Sequence, residues 1–277
     1  AAPSWKVYNH DRYSVTEDKE GKEFTIYCDT DRFEQYLLEI APEDKVVIKE
    51  FTKGVRSFSG MDMPVEKPEE LYTFFDKLKM VKMLPFLNLM KKWGKVSGSD
   101  FAQRWKNPYF RKVFSDTLEF PMVIILMMLA WQHSKSAGYV IGGALALVSY
   151  IQQRYLDLGG EIHFKARVEK ILVENDKAVG IRLADGTEHR GDIVISAADG
   201  RTTIFDMLDG KYLDDTIRGY YDNPKLYSPL VYISLGVARK FDDVPPTVGG
   251  MSFPLDEPVT VAGKERKRLS VQIYSFD

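Results

Sequence analysis

The sequence predicts an α/β chain assembled from interleaved units, and three observations carry that reading. Strand-like runs occupy both ends of the 277 residues. A block from Pro68 to Lys135 has helical periodicity throughout. Between 137 and 200 a helix, a hairpin and an apolar strand follow one another. A consecutively wound fold does not change period in this way, so the chain is expected to cross between two domains.

Each element has a local reason. Tyr13–Thr16 and Phe24–Cys28 alternate in character around a polar turn at Glu17–Gly21, which predicts a hairpin. Asp29 or Thr30 then caps a helix with Phe33, Tyr36, Leu37 and Ile40 on one face. Pro42 suits the first turn of the next helix, which runs to about Phe58, and Met61–Pro68 reads as a loop. Leu71, Phe74, Phe75, Leu78, Val81 and Leu84 have helical spacing. Ser97 or Ser99 caps a short helix, Asn107-Pro108 opens another, and Pro121 opens an apolar one over Val123–Trp131. Gly142-Gly143 precedes a helix from Ala144 to Leu158, closed by Gly159-Gly160. A short strand at Glu161–Phe164 and a hairpin of Val168–Val173 with Ala178–Leu183 follow. Asp192–Ser196 reads as a buried strand of parallel type, and Leu226–Ala238 and Arg268–Phe276 as long antiparallel strands.

Composition excludes several classes. With 44% hydrophobic and 28% charged residues the chain is an ordinary globular mixture, not disordered, collagenous or coiled coil. A net charge of −2 supplies no basic field, so no nucleic-acid partner is expected. The single cysteine, Cys28, forbids an intrachain disulfide and a cysteine-rich zinc site, and points to a reducing compartment, hence a cytoplasmic location. The longest apolar run, Phe120–Trp131, is shorter than the ~20 residues a spanning helix needs. No basic start followed by an apolar stretch opens the chain, and both ends look cut.

Familiar catalytic signatures are missing. There is no G-x-G-x-x-G, Walker A, H-E-x-x-H or G-x-S-x-G run. His10, His133, His163 and His189 lie far apart, with no metal-ligand spacing, so no metal is expected. A surface or core role is the ordinary expectation for each; His133, at the end of the apolar helix, stands out most. Lys77, Lys79, Lys82, Lys91, Lys92 and Lys95 are interleaved with large apolar residues. That pattern fits an amphipathic surface helix, or a helix lying on a membrane with its lysines at the headgroups, in which case the protein is membrane-associated. The methionines at 80, 83, 90, 122, 127 and 128 suit either core filling or a pocket for a flexible apolar ligand.

The informative stretch is 138–200. It contains G-Y-V-I-G-G-A-L, then L-G-G-E-I-H-F-K-A-R-V-E-K-I-L-V-E-N-D-K-A-V-G-I-R-L-A-D-G-T-E, then D-I-V-I-S-A-A-D-G. Ser196, Ala197 and Ala198 leave room for close backbone approach at the end of a strand, where open α/β sheets bind ligands. Together with F-T-I-Y-C-D-T-D-R-F-E-Q-Y-L-L-E-I-A-P-E-D and K-M-L-P, this stretch resembles the phytoene desaturase-related FAD-dependent oxidoreductases of the flavin amine oxidase superfamily. Carotenoid isomerases and retinol saturase are similar at greater distance. Val140 stands where relatives often carry a proline before the glycine pair.

The resemblance implies an incomplete FAD/NAD(P)-binding Rossmann-like domain at 137–200. It would be interleaved with an antiparallel-sheet plus helical substrate domain made of 1–136 and 201–277. Such proteins open with a G-x-G-x-x-G turn and close with a G-D segment near the flavin. Neither is present, so the chain reads as a central fragment that binds FAD weakly and does not turn over alone. By the same resemblance, the Val168 backbone contacts the FAD adenine, and Gly142 and Gly143 approach the flavin–substrate boundary. Met127, Met128, Trp131 and His133 are candidates for the pocket wall. The implied activity is redox chemistry at C–C bonds of an apolar polyene or isoprenoid substrate, with peripheral membrane contact and self-association as further expectations. An amine oxidase-type enzyme and a non-catalytic lipid-binding module stand as alternatives. No catalytic acid or base is named.

Overall fold

A computed structural model describes residues 5–60, 67–73, 76, 83–117, 121–222, 224, 232–261 and 263–277. It divides into two compact units, one made of 1–148 with 236–277 and the other of 149–235. The expected loop at Met61–Pro68 and the helical positions Phe74, Phe75, Leu78 and Val81 fall wholly or mostly outside the described residues.

The first unit pairs a mixed sheet with a helical layer. Strands β1 (Val7–Tyr8), β2 (Arg12–Glu17) and β3 (Glu23–Tyr27) come first. The β2–β3 hairpin turns on Asp18, whose carboxylate accepts the Glu20 and Lys22 amides, and on Gly21 at φ 78°. Helix α1 (Thr30–Ile40) is capped by Asp29, which accepts the Arg32 amide at 2.8 Å. A 3₁₀ turn over Pro42–Asp44 leads into α2 (Lys45–Ser59). Helices α3 (Leu84–Gly94), α4 (Gly98–Ala102, capped by Ser97), α5 (Pro108–Thr117) and α6 (Met122–His133) complete the layer. Their apolar faces meet in one aromatic-rich core that holds Phe24, Phe33, Phe51, Trp93, Phe101 and Trp105, each nearly or completely buried.

The sheet order is β3-β2-β8-β9, closed by β8 (Met251–Val261) and β9 (Lys264–Val271). Its β2–β8 pair is parallel, with Val15 opposite Met251, while the other pairs are antiparallel. The expected strand over Arg268–Phe276 is therefore only the end of β9, and β8 was not anticipated. Two prolines, Pro254 and Pro258, lie within β8, where the register also shifts, and they mask the strand signal. The expected strand Leu226–Ala238 is corrected over 232–238, which forms no strand; the rest lies almost wholly outside the described residues.

The boundary between the units falls inside α7 (Gly143–Asp157). The second unit carries an antiparallel sheet of β5 (Val168–Glu174), β6 (Lys177–Leu183) and β7 (Glu188–Arg190). Asn175 and Asp176 both take positive φ at the β5–β6 turn, the mirror-image turn that matches strand twist. A π-helical turn at Thr202–Met207 and α8 (Asp215–Asp222) follow. Glu161–Phe164 is not a strand, nor is Asp192–Ser196. Ile193 and Ile195 are 81% and 87% exposed. A parallel strand needs neighbours for its backbone bonds and covers for both faces, and no described strand supplies them.

Candidate functional site

The glycine pair is placed by a short two-stranded ladder in the first unit. β4 (Tyr139–Val140) pairs antiparallel with β1, Tyr139 opposite Tyr8, and the Ile141 amide donates to the Lys6 carbonyl. Gly142 and Gly143 then take φ 89° and 64°, a conformation that favours glycine, and α7 begins at the second of them. A Cβ on Gly143 would stand 2.9 Å from the Tyr139 hydroxyl.

Three separated segments converge here. Tyr8 stacks on Phe276 at 4.4 Å between ring centroids, and His10 stands edge-on to both at 4.9 and 4.8 Å. Tyr139 meets Phe276 edge to face at 5.1 Å and Tyr274 at 5.9 Å. The Tyr139 hydroxyl donates to Asp277 Oδ2 at 2.9 Å, and the Gly142 amide donates to Asp277 Oδ1 at 2.5 Å. Burial holds the His10 imidazole below its ordinary pKa, so it is neutral at pH 7. Its Nε2 is buried and has no hydrogen-bond partner among the described residues. The family resemblance singled out the two glycines, while Tyr8, His10, Tyr139, Tyr274, Phe276 and Asp277 were not singled out as their neighbours. No local pattern links segments so far apart in the chain.

In the second unit Val168 sits at the start of β5, opposite Leu183. With Arg167, Glu169, Lys170, Thr202, Asp206 and Met207 it lines a hollow of about 240 Å³, several times the ~30 Å³ share of one liquid water. Lys170 bridges to the π-helical turn, donating to the Asp206 carbonyl at 2.8 Å and pairing with the Asp209 carboxylate. Asp199 starts that segment by accepting the Thr202 amide at 2.8 Å. This bond, with a second from the Thr202 side chain, holds its carboxyl below the usual range. π-Helical turns are rare and concentrate at functional sites.

The pocket candidates on α6 face different ways. Met127 packs against the core, whereas Met128 and Trp131 are 40% and 45% exposed and share a stripe with Ile124. His133 accepts the Thr30 amide on Nδ1 at 3.2 Å and stands 3.6 Å from Asp29, so its ring supports the start of α1. Among the described residues no group of three or more His, Cys, Asp or Glu side chains is arranged to hold a metal.

Helices packed over a mixed sheet, a hairpin-bearing α/β unit and a glycine turn framed by aromatic rings define a class, and comparison with known families agrees. The flavin containing amine oxidoreductase family matches residues 35–270, and the chain belongs to it. Among individual proteins it is similar to the chloroplastic prolycopene isomerase of Arabidopsis thaliana, 29% identical over 143 residues (51% of this chain, 24% of that protein). The enzyme of the same name from Daucus carota is 33% identical over 145 residues (51% and 23%). The neurosporene-forming phytoene desaturase of Rhodobacter capsulatus is 28% identical over 208 residues (68% and 37%). The chain thus spans between about a quarter and somewhat over a third of the length of these relatives.

Proposed function

We propose that this chain is the substrate-domain and middle cofactor-domain part of an FAD-dependent oxidoreductase that acts on C–C bonds of an apolar polyene or isoprenoid. The observation that carries the reading is the family match over 35–270, which spans most of the chain. Relatives named for prolycopene and phytoene supply the substrate class.

The residues present fit a flavin nucleotide in part. The hollow beside Val168, lined also by Arg167, Lys170 and Thr202, is where an adenosine moiety would sit. At the Gly142–Gly143 turn the space a Gly143 side chain would fill is held by the Tyr139 hydroxyl, so a flat ring would meet the Tyr139 phenol there. No glycine-rich pyrophosphate cradle occurs in the sequence, so that contact is not provided by these residues. Bound flavin would supply a two-electron acceptor or donor; the protein's part is orientation and exclusion of water. In this reading Tyr8, Tyr139, Tyr274 and Phe276 give an apolar wall beside the turn. Met127, Met128, Trp131 and His133 are assigned to the substrate pocket, Met128 and Trp131 offering apolar surface directly.

Self-association and peripheral membrane contact belong to the same proposal. Leu84 and Leu87 on α3 are each 53% exposed, and Lys91 and Lys92 lie in its last turn. Among the described residues no helix is long and apolar enough to cross a membrane.

The test is a turnover assay on the full-length protein loaded with FAD and given a cis-polyene or phytoene in lipid vesicles, with products separated by chromatography. New double bonds or isomerised products are expected from the oxidised flavin, and lost double bonds when the bound flavin is supplied reduced by dithionite. A flavin-loaded protein that leaves polyenes untouched but oxidises amines would move the assignment to the amine oxidase alternative.

A further inference from the structure

We infer that Asp277 is a positioning residue that sets the conformation of the Gly142–Gly143 turn. Its two oxygens take the Gly142 amide and the Tyr139 hydroxyl, so one carboxylate ties the turn to the aromatic wall across more than a hundred residues of chain.

The geometry makes this more than a surface contact. Two consecutive residues at positive φ have little intrinsic preference for one arrangement, because glycine populates both signs of φ almost equally. Something outside the turn must select it. The Gly142 amide is fixed by Asp277 Oδ1, and the space a Gly143 side chain would fill is taken by the Tyr139 hydroxyl at 2.9 Å. Hydrogen bonding to Asp277 raises the phenol pKa of Tyr139, so it remains a protonated donor at neutral pH. The Tyr139 ring is itself held by Phe276 and Tyr274, and Phe276 by the Tyr8 stack. Each bond to an ionised acceptor is stronger than its neutral counterpart. On the functional reading above, the same carboxylate fixes where the turn meets the flavin and the substrate.

Hydrogen exchange on the full-length protein tests the clamp without reference to flavin. In Asp277→Ala the Gly142 amide is expected to exchange at least tenfold faster, while amides of β2 keep their wild-type rates. Tyr139→Phe, which removes one oxygen only, is expected to give a smaller increase. Should Asp277→Ala fail to fold by circular dichroism, Asp277→Asn takes its place, with Gly142 exchange expected to rise more than twofold over wild type. Gly142 exchange within twofold of wild type overturns the inference. The functional part is read from the visible spectrum of bound flavin and from KM against kcat. A shifted spectrum and a raised KM in Asp277→Ala support positioning. Faster Gly142 exchange with unchanged spectrum and kinetics reduces Asp277 to a structural role and overturns positioning. A wild-type protein that binds no flavin overturns the functional reading instead, and the exchange data still decide the clamp.

Discussion

Cys28 is 4% exposed, and burial, with Asp11 nearby, pushes its thiol up to about 12. The nucleophile is the thiolate, so the native protein is expected to resist thiol reagents at pH 8 and to react fully only after unfolding. Labelling of native protein at the unfolded rate would contradict this. The linkage has a definite sign. The folded pKa lies above the unfolded one, so this contribution is complete below pH ~8.5 and declines as pH rises toward 12. Asp44 makes a different kind of contribution. It is 2% exposed and accepts the Lys106 amide at 2.6 Å and the Asn107 amide at 2.9 Å, joining the start of α2 to the start of α5. Asp44→Ala leaves both amides unpaired and is expected to cost about 3 kcal/mol in urea unfolding. Asp44→Asn keeps one acceptor but sets an NH₂ donor against the other amide, so it is expected to cost less than Asp44→Ala while still losing one bond; no loss in either variant would show that the bonds do not matter.

At the scale of elements, α6 decides how the helical layer packs. Its sequence is apolar all round, yet only Met122, Val123, Leu126, Leu129 and Ala130 are buried. Adjacent residues therefore give a direct contrast. Met127→Glu forces a charge against the core and is expected to lower stability by several kcal/mol. Met128→Glu, on the exposed stripe, is expected to stay within about 0.5 kcal/mol of wild type. Equal thermal midpoints for the two would refute this account of the helix. The packing of α2 on α6 depends on Gly54, where a Cβ would stand 3.1 Å from Leu126 and 3.2 Å from Trp93, itself 1% exposed. Gly54→Val is expected to destabilise by about 2 kcal/mol despite removing a helix glycine, because overpacking outweighs the propensity gain of under 1 kcal/mol. A rise in the unfolding midpoint would show that the interface has slack.

For the whole molecule the notable surface is α7. Val148, Ile151 and Tyr155 on α7, with Leu158 just past its end, recur at spacings of three and four and are 57%, 57%, 49% and 69% exposed. Stripes of this kind tend to associate, so the chain is expected to sediment with a concentration-dependent mass. Ile151→Glu should shift it toward monomer. A single monomeric species for the unsubstituted chain at every concentration would remove the basis for self-association.

Much of this protein was legible residue by residue. The Asp29 cap, the Ser97 cap, the β2–β3 hairpin and the Asn175–Asp176 turn each depend on contacts within a few residues, and such contacts are written in consecutive side chains. The glycine pair and Val168 were singled out by a family resemblance, and the match over 35–270 agrees with that family. Tertiary structure decided the rest. Whether Asp192–Ser196 becomes a strand depends on neighbours that its own apolar residues cannot supply, and it remains exposed and unpaired with any described strand. The aromatic wall and Asp277 join residues 8–10, 139–143 and 274–277, and nothing in any one of those segments announces the other two. Local propensity chooses turns and caps because their partners lie within reach along the chain. Long-range sites form only when burial of the core brings distant segments together.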